Sequence, residues 1–97
     1  MNYMVEQTDT FAQWHAALRD LRAKIAIARR IDRAANGNMG DAKSVIGDVS
    51  EMRVDVGAGY RVYFTLRGGK IIILLVGGDK STQQADIKRA VKLAKEL

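Results

Sequence analysis

Apolar and polar positions change their period three times along the chain. Asn2 to Val5 alternates weakly, with Tyr3 and Val5 on one parity, and reads as a short strand. Thr8 or Asp9 then offers an oxygen for a helix N-terminus. From Phe11 onward, apolar side chains recur at Phe11, Trp14, Leu18, Leu21, Ile25 and Ala28, the spacing of one helical face. A second stripe runs through Ile27, Ile31, Ala34 and Ala35, offset by about a quarter turn. One straight helix would aim these stripes in two directions, so a bend or tight helix-helix turn is expected near Leu21 to Lys24. Asn36-Gly37 closes the helical region, because both residue types tolerate the left-handed conformation.

After a polar loop, Asn38 to Ser44, the period falls to two. Val45 to Val49 is expected to begin a sheet. Met52, Val54 and Val56 share one strand face, and Arg53 and Asp55 the other. Beyond the Gly57-Ala58-Gly59 turn, Tyr60, Val62, Phe64 and Leu66 alternate with Arg61, Tyr63, Thr65 and Arg67. Gly68-Gly69 marks a two-residue hairpin. Lys70 to Val76 is nearly all aliphatic, as in a strand buried on both faces. Gly77-Gly78 is expected to break it. Ser81 and Gln84 have the spacing of a capping box before a last helix. That helix carries an apolar stripe (Ile87, Ala90, Val91, Ala94, Leu97) and a basic face of Lys88, Arg89, Lys92 and Lys95. The pattern predicts an α+β domain with helices packed on a sheet.

Composition narrows the partners more than the fold. A chain of 97 residues supports one small domain, residues 1–97. Its longest apolar run, Ile71 to Val76, is far below the ~20 residues of a membrane span. Met1 to Thr10 lacks the basic and apolar regions of a secretory signal. Cysteine is absent, which excludes disulfides and thiolate metal sites, and a cytoplasmic location is expected. The net charge of +5 and a pI near 9.8 favour anionic partners such as nucleic acid or an acidic protein segment.

The candidate chemistry follows from the strands. Across a tight hairpin centred near Ala58, cross-strand partners sum to roughly 114–116, so Arg53 lies opposite Arg61 or Tyr63. Either pairing puts Arg53, Asp55, Arg61 and Tyr63 on one face. Two close arginines need an anion between them. Asp55 or Glu51 would supply one internally; a bound phosphate would do so as ligand, held by bidentate contacts that lysine cannot make. Lys80, between a strand end and a helix N-terminus, occupies a position attractive to anions. Its GGDKS context lacks the spacing of a phosphate-binding P-loop. His15, the one histidine, has no nucleophile motif beside it and reads as a rim residue; Phe11 and Trp14 read as core. The aspartates are too dispersed for a metal loop. The helical arginines and lysine (Arg19, Arg22, Lys24, Arg29, Arg30, Arg33) read as a solvated surface able to bind an acidic partner or RNA phosphates.

The segment GNMGDAKSVIGDVSEMRVDVGAGYRVYF, followed by KIIILLVGGDKSTQQADIKRA, resembles the RelE/ParE superfamily of type II toxin–antitoxin toxins. Within it, the chain looks like the HigB-like, phage-derived addiction module killer branch. The elements G-x-x-G-D-x-K, E-[LM]-R, G-Y-R-V-Y-[FY] and G-G-D-K-x-x-Q carry the resemblance together. Met52 stands where leucine is usual, and Ser44 and Ala58 where prolines are common. The resemblance implies a RelE-like fold: a compact antiparallel sheet, an N-terminal helical hairpin and a C-terminal helix. It also implies a metal-independent endoribonuclease without cofactor, cutting mRNA on the ribosome by way of the substrate's own 2′-OH. The family's basic positions fall on Arg53, Arg61 and Lys80. Lys43, Tyr60 and Gln83 would contact RNA, and Glu51 would orient a catalytic group. The implied partners are mRNA and a helix-turn-helix, HigA-like antitoxin, with no membrane involved. Members of the ParE type share the fold yet poison DNA gyrase, and a remnant that only binds its antitoxin is a third reading.

Overall fold

The computed structural model describes residues 2–97. Strand β1 (Met4–Gln7) leads into helices α1 (Asp9–Ala17) and α2 (Leu21–Ala35). Strands β2 (Ala42–Ile46), β3 (Val49–Val54), β4 (Tyr60–Arg67) and β5 (Ile71–Asp79) follow. A single 3₁₀ turn, Lys80–Thr82, then opens helix α3 (Gln83–Lys95). The strands form one sheet in the order β1-β5-β4-β3-β2.

Strands β2 to β5 are antiparallel to their neighbours, but β1 pairs with β5 in parallel. The all-antiparallel expectation is therefore corrected at one edge. The cause is connectivity: the α1–α2 pair and three further strands intervene between β1 and β5, so no hairpin constrains their direction.

Local chemistry sets the element ends. Thr8 caps α1 by accepting from the Phe11 amide at 3.0 Å. The helix-helix turn lies at Leu18 to Asp20, earlier than the stripe offset suggested, because Asp20 caps α2 through the Ala23 amide at 3.2 Å. Leu21 and Ile25 consequently leave the first stripe and are solvent-exposed, whereas Ala23, Ile27 and Ala34 are buried. A hairpin at Gly47-Asp48, not anticipated above, folds β2 onto β3 and puts Lys43 on a strand, opposite Glu51.

Gly77 and Gly78 do not break β5. They pair with Val62 and Arg61 in the ladder, and glycine is required for clearance. A Cβ at Gly77 would collide with the Trp14 indole, and one at Gly78 with the Asp86 carboxylate. These glycines let α1 and α3 approach the sheet from its two sides. The predicted capping box is also replaced. Asp79, not Ser81, caps the 3₁₀ turn: it accepts from the Ser81 amide at 2.8 Å and the Ser81 hydroxyl at 2.5 Å.

The sheet separates two cores. Met52, Val54, Val62, Phe64, Ile72 and Leu74 pack with Phe11, Ile27 and Ala34 of the helical pair. Val49, Tyr63, Ile73, Leu75 and Val76 pack with Ala90 of α3. A bulge where Tyr63 pairs Val76 and Phe64 pairs Leu74 leaves Leu75 without a ladder partner. Leu75 and Val76 therefore both join the α3 core. One half of that sheet face is thus roofed by α3. The part nearest the β3–β4 turn stays open; Arg53 is exposed there, and Arg61 lies largely buried beside it.

Candidate functional site

Arg53 and Arg61 are direct cross-strand partners, which settles the register left open by the turn. Their repulsion is relieved by two different carboxylates. Arg53 Nε lies 3.2 Å from Asp41 Oδ2, with both side chains largely exposed. Arg61 Nε lies 3.6 Å from Glu51 Oε2, with side-chain exposures of 12% and 2%. That separation is too long for a hydrogen bond, so both atoms are buried without a partner. Asp55, considered above as an internal counter-ion, lines the cleft but pairs with neither arginine.

The cleft is about 250 Å³ and is lined by Asp41, Arg53, Val54, Asp55, Gly59, Tyr60, Arg61 and Lys80. Three basic side chains from three segments converge on it: β3 supplies Arg53, β4 Arg61, and the turn after β5 Lys80. Lys80 arrives because Asp79 pairs with Tyr60, next to the glycine turn. Gly59 has φ +79°, and a Cβ there would fall 2.8 Å from Lys80 Cε. This glycine serves both the turn and the passage of the lysine stem across its backbone.

Neighbouring loops fix the acidic member. Arg30, expected on a solvated surface, is buried and donates to the Met39 carbonyl. Burial, with repulsion from Arg33, pushes its guanidinium below the ordinary arginine range, and Asp41 opposes that shift. A Cβ at Gly40 would meet Arg30 Nη2 at 2.8 Å. The loop is thereby held against α2 in the conformation that presents Asp41 to Arg53. Sequence reading missed Asp41, Gly59 and Arg30 as parts of the site. The G-x-x-G-D spacing was the available clue for Asp41.

The remaining expected residues take different places. Glu51 is buried beside Arg61 and pairs across the ladder with Tyr63. Burial, then the Glu51 charge, pushes the Tyr63 phenol up to about 12. Tyr60 lines the cleft, but its ring packs against Trp14 with centroids 6.2 Å apart. Lys43 is exposed on β2, opposite Glu51 but outside the cleft lining. Gln83 opens α3 and is likewise outside that lining. His15 stacks on Phe11 at 5.9 Å and contacts the Lys24 carbonyl, in keeping with a rim residue. Hydrogen bonds from Ser81 hold Asp79 below the usual carboxylate range, so it caps as an anion. Among the described residues, no group of three or more His, Cys, Asp or Glu side chains is placed to hold a metal ion.

A model of the family described as phage derived protein Gp49-like (DUF891) matches residues 14–97. The chain belongs to the Gp49-like family. Every segment that builds the cleft lies inside the matched span. An uncharacterized protein of Haemophilus influenzae is 50% identical over 97 residues, covering 100% of this chain and 98% of that protein. Among solved structures, the E. coli toxin RelE, a double mutant in the free state, superposes with a TM-score of 0.76. The match covers 95% of this chain and 97% of RelE at 13% identity. The Gp49-like chain therefore has a RelE-like fold. No helix among the described residues is long and apolar enough to cross a membrane.

Proposed function

We propose that this Gp49-like protein is the toxin of a type II toxin–antitoxin pair and a HigB-like endoribonuclease acting on mRNA at the ribosome. The convergence of Arg53, Arg61 and Lys80 on one cleft carries the reading. Three cations around about 250 Å³ of polar space suit a single phosphodiester and leave the nucleophile to be supplied by the RNA. The 2′-oxygen attacks phosphorus and the bond to the 5′-oxygen breaks, leaving a 2′,3′-cyclic phosphate. Lys80 takes the 2′-OH proton and passes it to the departing 5′-oxygen, so that no proton is gained or lost overall. The Arg61 side chain makes no hydrogen bond within the described residues, so its donors are uncommitted toward the phosphorane. Glu51 fixes the direction of that guanidinium. Arg53 exchanges its exposed Asp41 pair for phosphate at small cost, since such pairs contribute about 0–1 kcal/mol. Tyr60, Lys43 and Gln83 are flanking RNA contacts, and a HigA-like antitoxin is the expected protein partner.

The test is cleavage of a translated mRNA by purified protein, with the chemistry of the new ends identified. A 2′,3′-cyclic phosphate on one fragment and a 5′-hydroxyl on the other are expected. A 3′-hydroxyl and 5′-phosphate would contradict the 2′-OH route.

A further inference from the structure

The face of α2 opposite its core stripe is unusual in composition. Ala23, Ile27, Arg30 and Ala34 are buried. On the other side, Leu21 is 66% exposed and Ile25 45% exposed. A separate groove is lined by Arg22, Ile25, Ala26, Arg29 and Val56, so the β3–β4 turn forms its second wall. Arg22 and Arg29 are exposed and have no ion-pair partner among the described residues. An exposed leucine alone means little. Two large apolar residues one helical turn apart, continued by Ala26 and Val56 and flanked by two unpaired arginines, form an organised surface.

We propose that this groove docks an acidic amphipathic segment of a partner protein, and that under the toxin reading the partner is the antitoxin. The chemistry favours a protein over RNA. A phosphate backbone would use Arg22 and Arg29 but gain nothing from Leu21, Ile25 and Val56. A segment with apolar anchors and flanking carboxylates satisfies both sets, and arginine is among the residue types enriched at binding hot spots. Charge complementarity with a chain of net charge +5 adds attraction at a distance. The groove and the arginine cleft share no lining residue: Val54 and Asp55 line the cleft, and Val56 the groove. A bound segment thus sits beside the cationic site and need not fill it.

The test uses the full chain with the product of the reading frame adjoining its gene. The variants are Arg22→Glu/Arg29→Glu and, separately, Ile25→Ser, all at exposed positions outside the cleft. Near-UV circular dichroism and melting establish that they fold. Wild type should form a complex, each variant should bind at least about tenfold more weakly, and growth arrest by the variants should no longer be relieved by the adjoining gene. Variants that bind as wild type does would overturn the groove while leaving the antitoxin reading intact. No complex with wild type would overturn the antitoxin assignment and the groove's place in it. A single-stranded RNA of about 20 nucleotides, spanning the ~4–16-nucleotide footprint of a single-strand-binding domain, that loses as much affinity in the Ile25→Ser variant would also contradict a protein dock.

Discussion

Arg61 and Glu51 sit so deep beneath the open half of the sheet that neither can be changed alone without consequence. Arg61→Ala leaves a carboxylate that is 1% exposed without its counter-charge. Breaking a buried pair from one side costs about 3–5 kcal/mol, and the long 3.6 Å separation puts this case toward the lower end. Loss of toxicity in Arg61→Ala would therefore mix folding with chemistry. The double variant Arg61→Ala/Glu51→Gln removes both charges and is expected to melt closer to wild type while losing about 10²–10³-fold in cleavage rate, the magnitude for one preorganised donor. A double variant that cleaves normally would remove Arg61 from the mechanism. Tyr63 makes a second, independent prediction. Its phenol is pushed up to about 12 by burial and by Glu51, so the folded state holds its proton more tightly than the unfolded chain does. That contribution is complete below the unfolded value near 10 and is lost as pH rises through about 12. Urea melts should show falling stability across that interval, and Tyr63→Phe should flatten the decline. An unchanged slope in the variant would assign the alkaline loss elsewhere.

At the level of elements, Gly77 and Gly78 decide how closely the helices pack on the sheet. Gly77 and Gly78 stay in the β5 ladder so that Trp14 and Asp86 can close on the sheet. Gly77→Ala drives a methyl into the indole, and overpacking of this kind costs about 1–3 kcal/mol. Thermal unfolding should show a reduced Tm, with part of it recovered by Trp14→Phe. No reduction would mean that the α1–β5 approach is looser than the geometry shows. These glycines also explain where sequence reading failed. A Gly-Gly pair after an aliphatic run looks like a strand end, because the local pattern carries no information about a helix packed across it. The Asp20 cap was missed for the opposite reason. Two overlapping apolar stripes suggested a bend, yet the residue that starts the second helix is polar and lies outside both. Arg53 and Arg61 were legible together because strand parity and a short turn nearly fix their relation. Lys80 was legible as a position, but its convergence with the arginines depends on Gly59 and the β4–β5 register. Asp41 and Arg30 act through a loop whose path no periodicity predicts.

For the whole molecule, the sheet divides labour between its faces. The helical pair packs on one face, where Leu66 at the end of β4 stays exposed, and α3 covers part of the other. The uncovered part is where two strands and a turn deliver cations to one cleft, in a RelE-like fold. The most direct measurement compares pulse induction of wild type with the double variant Arg53→Ala/Lys80→Ala. Both of those residues are solvent-exposed, so their removal changes stability by only about ±0.5 kcal/mol. Cellular mRNA 5′ ends are mapped in the first minutes, and plasmid supercoiling is read from the same cultures. New ends at codon-phased positions in wild type, absent in the variant, with supercoiling unchanged, are the expected result. Intact mRNA with relaxed or cleaved plasmid would contradict it and make the protein a gyrase poison whose basic cleft binds without cutting.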